Sequence, residues 1–194
     1  KSAPTNQLHL KCYTRDLNSE LSSIIPLLEH MGATVIDATP HVIAPHAPMA
    51  PVLMRDFTLR VRNAETLDLA AHKARIEFAI DAIWRGAVDN DALNALVFTA
   101  GLTARDVNIL RAYSRYLQQL NFPYSQQLIA AALNTHAVLA QNLVAQFHTR
   151  FDPKIKNRET KMAALVAELG EGLETVTNLG EDRILRRIAA LIAA

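Results

Sequence analysis

Cysteine is almost missing from this sequence. One thiol, Cys12, in 194 residues excludes an internal disulfide and the disulfide-dense class of secreted domains. A chain of this kind fits the cytoplasm, and no signal-peptide core opens it. Glycine is also scarce. The six glycines are scattered, and none falls in GxGxxG or GxxxxGK[ST], so no phosphate-cradling loop is present. There are seven histidines but no HxxxH or HExxH pair, and one cysteine cannot build a thiolate site. Net charge is nearly absent as well: 20 basic against 19 acidic residues give +1, which predicts no general attraction to nucleic acid or anionic membranes. No apolar run reaches the roughly 18 residues that a membrane-spanning helix needs.

What remains is the composition of a folded protein, 50% hydrophobic and 20% charged, long enough for one large or two small domains. Up to Arg62 the hydrophobic period is mixed. "LHLKCY" alternates, placing Leu8, Leu10 and Cys12 on one face and His9, Lys11 and Tyr13 on the other. "SELSSIIPLLEHMG" reads as a helix with Leu21, Ile24, Ile25 and Leu28 on one face, a kink at Pro26 and a stop at Gly32. "ATVIDAT" and "VLMRDFTLRVR" read as strands. In the second, Leu53, Phe57, Leu59 and Val61 face one way and Thr58, Arg60 and Arg62 the other. The four prolines of "PHVIAPHAPMAP" preclude a central strand and predict a long exposed connection between them.

From Asn63 onward the period is helical. A long helix is expected from about Ala64 to Arg85, with Leu67, Ala71, Ile76, Ile80 and Ile83 among its apolar positions. A short one follows in "NDALNALVFTAG", closed by Gly101. Thr103 with Asp106 has capping-box spacing, and Ser125 is placed to cap the next helix. Asp152-Pro153 ends the helix of "THAVLAQNLVAQFHTRF", and two more helices part near Asn178 to Gly180. The stretch "ILRAYSRYLQQLNFPYS" interleaves arginines with tyrosines, as single-strand nucleic-acid binders do. Ile109, Tyr113, Leu117 and Leu120 are spaced four, four and three, so the expectation is a packed stripe with Tyr113 in a core. Arg111, Arg115 and Gln118 would then form a solvated back.

The candidate chemistry is thin. Cys12 shares the apolar face of its strand and reads as a small buried hydrophobe. His41 and His46 fall in the proline-rich connection with no third ligand at motif spacing. Asp89 and Asp91 sit where a helix starts, so capping accounts for them. The polar start "KSAPTNQ" and the apolar finish "RILRRIAALIAA" suggest a piece of a longer protein, with the finish packing against the remainder.

"YTRDLNSELSSIIPLLEHMGATVIDA" resembles the opening of ACT-type regulatory domains: a T-x-D turn at Thr14 and Asp16, a helix with spaced aliphatics, a glycine, then a strand. Amino-acid-binding ACT domains carry a proline-glycine pair after the aspartate, whereas this chain has Leu17, Asn18 and Ser19. The resemblance implies an ACT-like scaffold for contacts between domains, with Asp16 and Asn18 as the positions of an effector turn. "LRAYSRYLQQLNFPYSQQLIAAALNTHAVLAQNLVAQFHTRFDP", "RDFTL" and "EDRILRRIAALIAA" resemble the large bacterial NAD-specific glutamate dehydrogenases, in the region before their catalytic part.

The fold expected is therefore α+β, an ACT-like β-α-β-β unit at 1–62 followed by a mainly helical domain at 63–194. The resemblance implies a non-catalytic regulatory or structural segment of a cytoplasmic, homo-oligomeric oxidoreductase that takes glutamate to 2-oxoglutarate and ammonia. NAD would be the parent's cofactor, and the catalytic domain of the same polypeptide would be this segment's partner. No catalytic, cofactor-binding or metal residue is expected here, and neither nucleic acid nor membrane is an expected partner. Two rivals remain: a free-standing amino-acid sensor using Asp16 and Asn18, and a helical nucleic-acid adaptor using Arg111 and Arg115.

Overall fold

The computed structural model describes residues 7–46, 48–61 and 69–194, which form two compact units, Lys1–Thr99 and Ala100–Ala194. The first unit runs β1 (Gln7–Thr14), α1 (Leu21–His30), β2 (Ala33–Ile43), β3 (Val52–Val61) and α2 (Leu69–Trp84). A 3-10 turn (Ala92–Ala95) and α3 (Leu96–Thr99) close it. The fold is thus α+β, as its period change predicts. The hydrophobic period changes near residue 62, whereas contacts thin only after Thr99. The two boundaries measure different things, because the first helices after the strands belong with the sheet unit.

The sheet is antiparallel in the order β1-β3-β2. β3 is central, and its alternation is the one read from sequence: Leu53, Phe57, Leu59 and Val61 are buried while Arg60 is exposed. Arg62 lies outside the described residues. On β1, Leu8, Leu10 and Cys12 are half-buried and His9, Lys11 and Tyr13 are exposed.

β2 runs further than expected, through Pro40 and His41 to Ile43, which pairs with Val52. The connection begins only at Ala44. β2 tolerates Pro40 because it is an edge strand, where a missing N–H need not interrupt a ladder. A bulge between Val35 and Asp37 bends the same strand.

On α1 the buried residues are Ile24, Leu27 and Leu28; Leu21 is exposed and Ile25 half-buried, so the helix is turned from the expected face. Leu27 displaces Leu21 because Met31, also fully buried, extends the i, i+4 row that Leu27 starts. The helix persists through Pro26. It stops where expected: Met31 caps it and Gly32 has φ +87°. A Cβ on Gly32 would also meet the Ala95 Cβ at 3.2 Å. Gly32→Ala should therefore destabilise by about 1–2 kcal/mol, the cost of a left-handed alanine, with the tight contact adding to it. Urea titration followed by Trp84 fluorescence checks this.

On α2, Ile76, Ala79, Ala82 and Ile83 are buried, and the expected helical residues 64–68 lie outside the described residues. Asp91 caps the 3-10 turn by accepting from the Leu93 N–H at 3.0 Å, the role its sequence position suggested.

The second unit is helical: α4 (Ala104–Gln119), α5 (Gln126–Thr135), α6 (Ala137–Phe151), α7 (Arg158–Leu173) and α8 (Leu179–Ala193). Thr103 and Asp106 form the capping box, Ser125 caps α5, and Asn178 caps α8. Asn121, at φ 55°, ends α4, with the Phe122 N–H donating back to the Leu117 carbonyl at 3.1 Å. The apolar finish is already buried inside this unit, through Ile184, Leu185, Ile188 and Ile192. Within this unit α4, α5, α6 and α7 supply its facing surfaces. No single helix among the described residues is long and apolar enough to cross a membrane.

Candidate functional site

Two surfaces, one in each unit, gather the residues with chemical capability. In the first unit the turn from β1 into α1 is built by its own side chains. Thr14 Oγ1 accepts the Asp16 N–H at 3.1 Å, and Asp16 Oδ1 accepts the Asn18 N–H at 3.0 Å. One Asp16 oxygen is therefore committed to shaping the loop, the usual work of an Asx turn. Asp16 and Asn18 are exposed and border an open polar depression of about 440 Å³, shared with Glu20, Ser23, Trp84 and Asn90. His30, at the end of α1, donates from Nδ1 to Asn90 Oδ1 at 2.9 Å and fixes the far wall.

Beyond the turn lies a cleft of about 480 Å³ between β1 and α2, bordered by Leu10, Cys12, Arg55, Ile80, Asp81 and Trp84. Arg55 is the residue that sequence reading missed. It alternates with Leu53 and Phe57, so its place on the core-facing side of β3 was visible as a cation in an apolar phase. Its guanidinium donates to Ser19 Oγ at 3.1 Å and also to the Ser19 carbonyl, so β3 holds the loop that leads into α1. Burial pushes the Cys12 thiol up, against a smaller opposing pull from Arg55. Burial thus disfavours its thiolate, which agrees with a packing role. His41 lies on β2 and His46 in the connection after it, and no three metal-ligating side chains cluster among the described residues.

In the second unit α4 is rotated from the expected stripe. Its buried residues are Ala104, Val107, Leu110, Arg111, Ser114 and Leu117. Leu120 is exposed, and Ile109 and Tyr113 are only half-buried. Arg111 is 2% exposed, so it is no part of a solvated back and presents nothing to a phosphate. Its guanidinium bonds Asn108 Oδ1 one turn away. The sequence stripe failed because it left Ala104 and Ser114 out and put Arg111 outside, although the core uses all three.

Ile109, Ala112, Tyr113, Tyr116 and Phe147 instead line an open, mostly apolar groove of about 450 Å³. Tyr113 meets Phe147 edge-on at 6.2 Å, and Phe147 stacks toward Phe151 at 4.8 Å. At the head of α4, His148 Nε2 donates to Asp106 Oδ1 at 2.7 Å. Burial pushes the Asp106 carboxyl up, but the hydrogen bonds from Thr103 and His148 outweigh it and hold its pKa below the usual value. A depressed carboxylate pKa stabilises the fold above the unfolded-state pKa, and that stability is lost as pH falls through the folded one. The urea midpoint gap between the wild-type chain and Asp106→Asn should thus shrink as pH falls below about pH 4, the range of an unperturbed aspartate.

Residues 1–72 match the family model described as glutamate dehydrogenase, ACT3 domain, and residues 88–153 match glutamate dehydrogenase, helical motif 3. The chain is 34% identical to the NAD-specific glutamate dehydrogenase of Halomonas elongata over 187 residues, 96% of its length. It is 37% identical to that of Pseudomonas aeruginosa over 192 residues, 97% of its length. The enzyme of the same name from Mycobacterium tuberculosis is 36% identical over 185 residues. The chain spans 12% of the length of the first two relatives and 11% of the third.

Proposed function

The chain belongs to the glutamate dehydrogenase family that carries the ACT3 domain and helical motif 3, and on that premise we propose that it is a non-catalytic segment of a large NAD-dependent enzyme. The parent reaction is the oxidative deamination of L-glutamate to 2-oxoglutarate and ammonia, in the cytoplasm, by a homo-oligomer. The observation that carries this reading is the collinear order of the two matches, ACT3 domain then helical motif, along 194 residues that span 12% of the relatives. Neither candidate surface combines a nucleotide cradle with an acid–base pair. Residues 1–62 act as the ACT-like unit and 63–194 as the helical domain. Both serve assembly of the parent with the catalytic domain of the same polypeptide.

The test is direct. The purified parent polypeptide should reduce NAD in the presence of glutamate, and the isolated 194-residue chain should not. Glutamate-dependent NADH formation by the isolated chain sinks the non-catalytic reading. A parent polypeptide of 21.4 kDa sinks the segment reading.

A second reading is favoured by one observation, the open polar depression beside Asp16 and Asn18. In it the turn senses an amino acid. A specific ligand at a hundred times its Kd adds about 2.7 kcal/mol of stability. A thermal-shift panel of the twenty amino acids in which no compound raises the Tm removes this reading.

A further inference from the structure

The groove between α4 and α6 carries a second apolar stripe that the core of the helical unit does not use. Arg105, Ile109, Ala112 and Tyr116 are spaced four, three and four, so they share one side of α4. Phe147 on α6 lines the groove with them, and Phe151 follows one turn later. Tyr116 is 46% exposed and Phe151 53%, so this aromatic surface is open. From Arg105 to Tyr116 the stripe extends about 17 Å, three turns of helix.

The charge around it has one sign. Together α4 and α6 hold four arginines and a single acid, Asp106. That acid is already engaged, by the Thr103 hydroxyl at 2.7 Å and by His148. The His148 bond also sets the last turn of α6 beside the first turn of α4, which brings Arg105 and Arg150 to the same end of the groove. Arg150 lies over the Phe151 ring at 5.7 Å. Burial pushes the Tyr113 hydroxyl up, and Arg150 opposes that rise from nearby. Neither Arg105 nor Arg150 pairs with a carboxylate among the described residues. The groove is therefore an apolar trough with an unneutralised positive end.

We infer that this groove receives an acidic amphipathic helix of the same long polypeptide, from outside these 194 residues. The inference rests on the segment reading above. A trough between two helices, three turns long, is filled by a third helix through apolar anchors at i, i+3 or i+4 and i+7. Those anchors meet Ile109, Tyr113, Tyr116 and Phe147. Aspartates or glutamates beside them meet Arg105 and Arg150, whose planar guanidinium groups suit carboxylates. The same charge argues against a second copy of this chain. A two-fold contact through the groove would set Arg105 and Arg150 against their own images, and like charges facing each other are costly. The relatives, of which this chain spans 12%, supply ample sequence for the helix. Tethering holds such a helix at about millimolar effective concentration, well above a free partner.

The experiment uses the full-length parent enzyme, with Tyr116 replaced by the photoreactive aromatic benzoylphenylalanine. After irradiation, proteolysis and mass spectrometry identify the peptide joined to position 116. The expected peptide belongs to the same polypeptide, repeats apolar residues at helical spacing, and has more Asp and Glu than Lys and Arg. Its composition tests the charge argument without any further substitution. Reversing the rim with Arg105→Glu and Arg150→Glu together should cut the adduct yield at least about tenfold, while the paired Lys replacements keep it within about twofold. A neutral or basic joined peptide, an adduct to a different protein or at twice the polypeptide mass, no adduct, or a yield that survives charge reversal overturns the inference. Denaturing electrophoresis without irradiation separates the two failures. A long polypeptide with any of these results defeats only the helix, whereas a 21.4 kDa polypeptide defeats the segment reading on which it stands.

Discussion

Phe57→Ala should destabilise the first unit by about 3–5 kcal/mol, the range for removing a large buried aromatic from a packed interior. Phe57 is fully buried at the centre of the central strand. Its Cα partners are Leu10 on β1 and Ala38 on β2, so the cavity left by the ring would open beneath both neighbouring strands at once. Sheet residues cannot collapse into such a space without breaking register, which places the expected cost toward the upper end. Trp84, the only tryptophan, belongs to the same unit, so its fluorescence follows that unit's unfolding. The Trp84 transition should move to lower urea with its slope unchanged. A shift equivalent to less than about 1 kcal/mol would mean that Phe57 does not hold the sheet core.

Much of this unit was legible because a strand has a period of two and little freedom to drift. Leu53, Phe57, Leu59 and Val61 could face only one way once any of them was buried. Arg55 follows the same rule, although its letter invites the opposite placement. It settles on the core-facing side because Ser19 offers it both a hydroxyl and a carbonyl. No sequence pattern links residues 19 and 55, so that part of the candidate site emerges only from the fold. The extension of β2 through Pro40 was hidden for a similar reason. Proline forbids a central strand, and nothing local states that β2 lies at an edge.

Helices are less forgiving to read, since 3.6 residues per turn allow two apolar stripes to share a sequence. On α1 the choice of Leu21 and Ile25 over Leu27 misplaced the face by a fraction of a turn. On α4 the aliphatic and aromatic letters pointed to Ile109, Tyr113 and Leu120, whereas the core took alanine, serine and an arginine. Small residues mark close approach between helices, and Ala104 and Ser114 are both buried on this one. Their size carries the signal that hydrophobicity alone misses. The capping box of Thr103 and Asp106 and the helix stops were read correctly because they depend on neighbours within four residues.

The phase of α4 gives the second large effect. Leu117→Ala should cost about 2–5 kcal/mol, as for a buried leucine truncated in a tight core. Leu117 is fully buried and also accepts the Phe122 N–H that closes the helix, although that bond uses the backbone and survives the change. Leu120→Ala, three residues on, should cost under about 0.5 kcal/mol, because Leu120 is 44% exposed. Tyr113→Ala belongs between them at about 1–2 kcal/mol, from half a ring's burial and its edge-on contact with Phe147. Far-UV circular dichroism in urea reads these losses, because α4 to α8 contribute most of the helix. A stripe through Ile109, Tyr113, Leu117 and Leu120 instead makes all three substitutions costly, Tyr113→Ala and Leu120→Ala included. The ranking therefore decides which face of α4 is core. It also decides whether Tyr113 and Tyr116 are free to line the open groove beside Phe147.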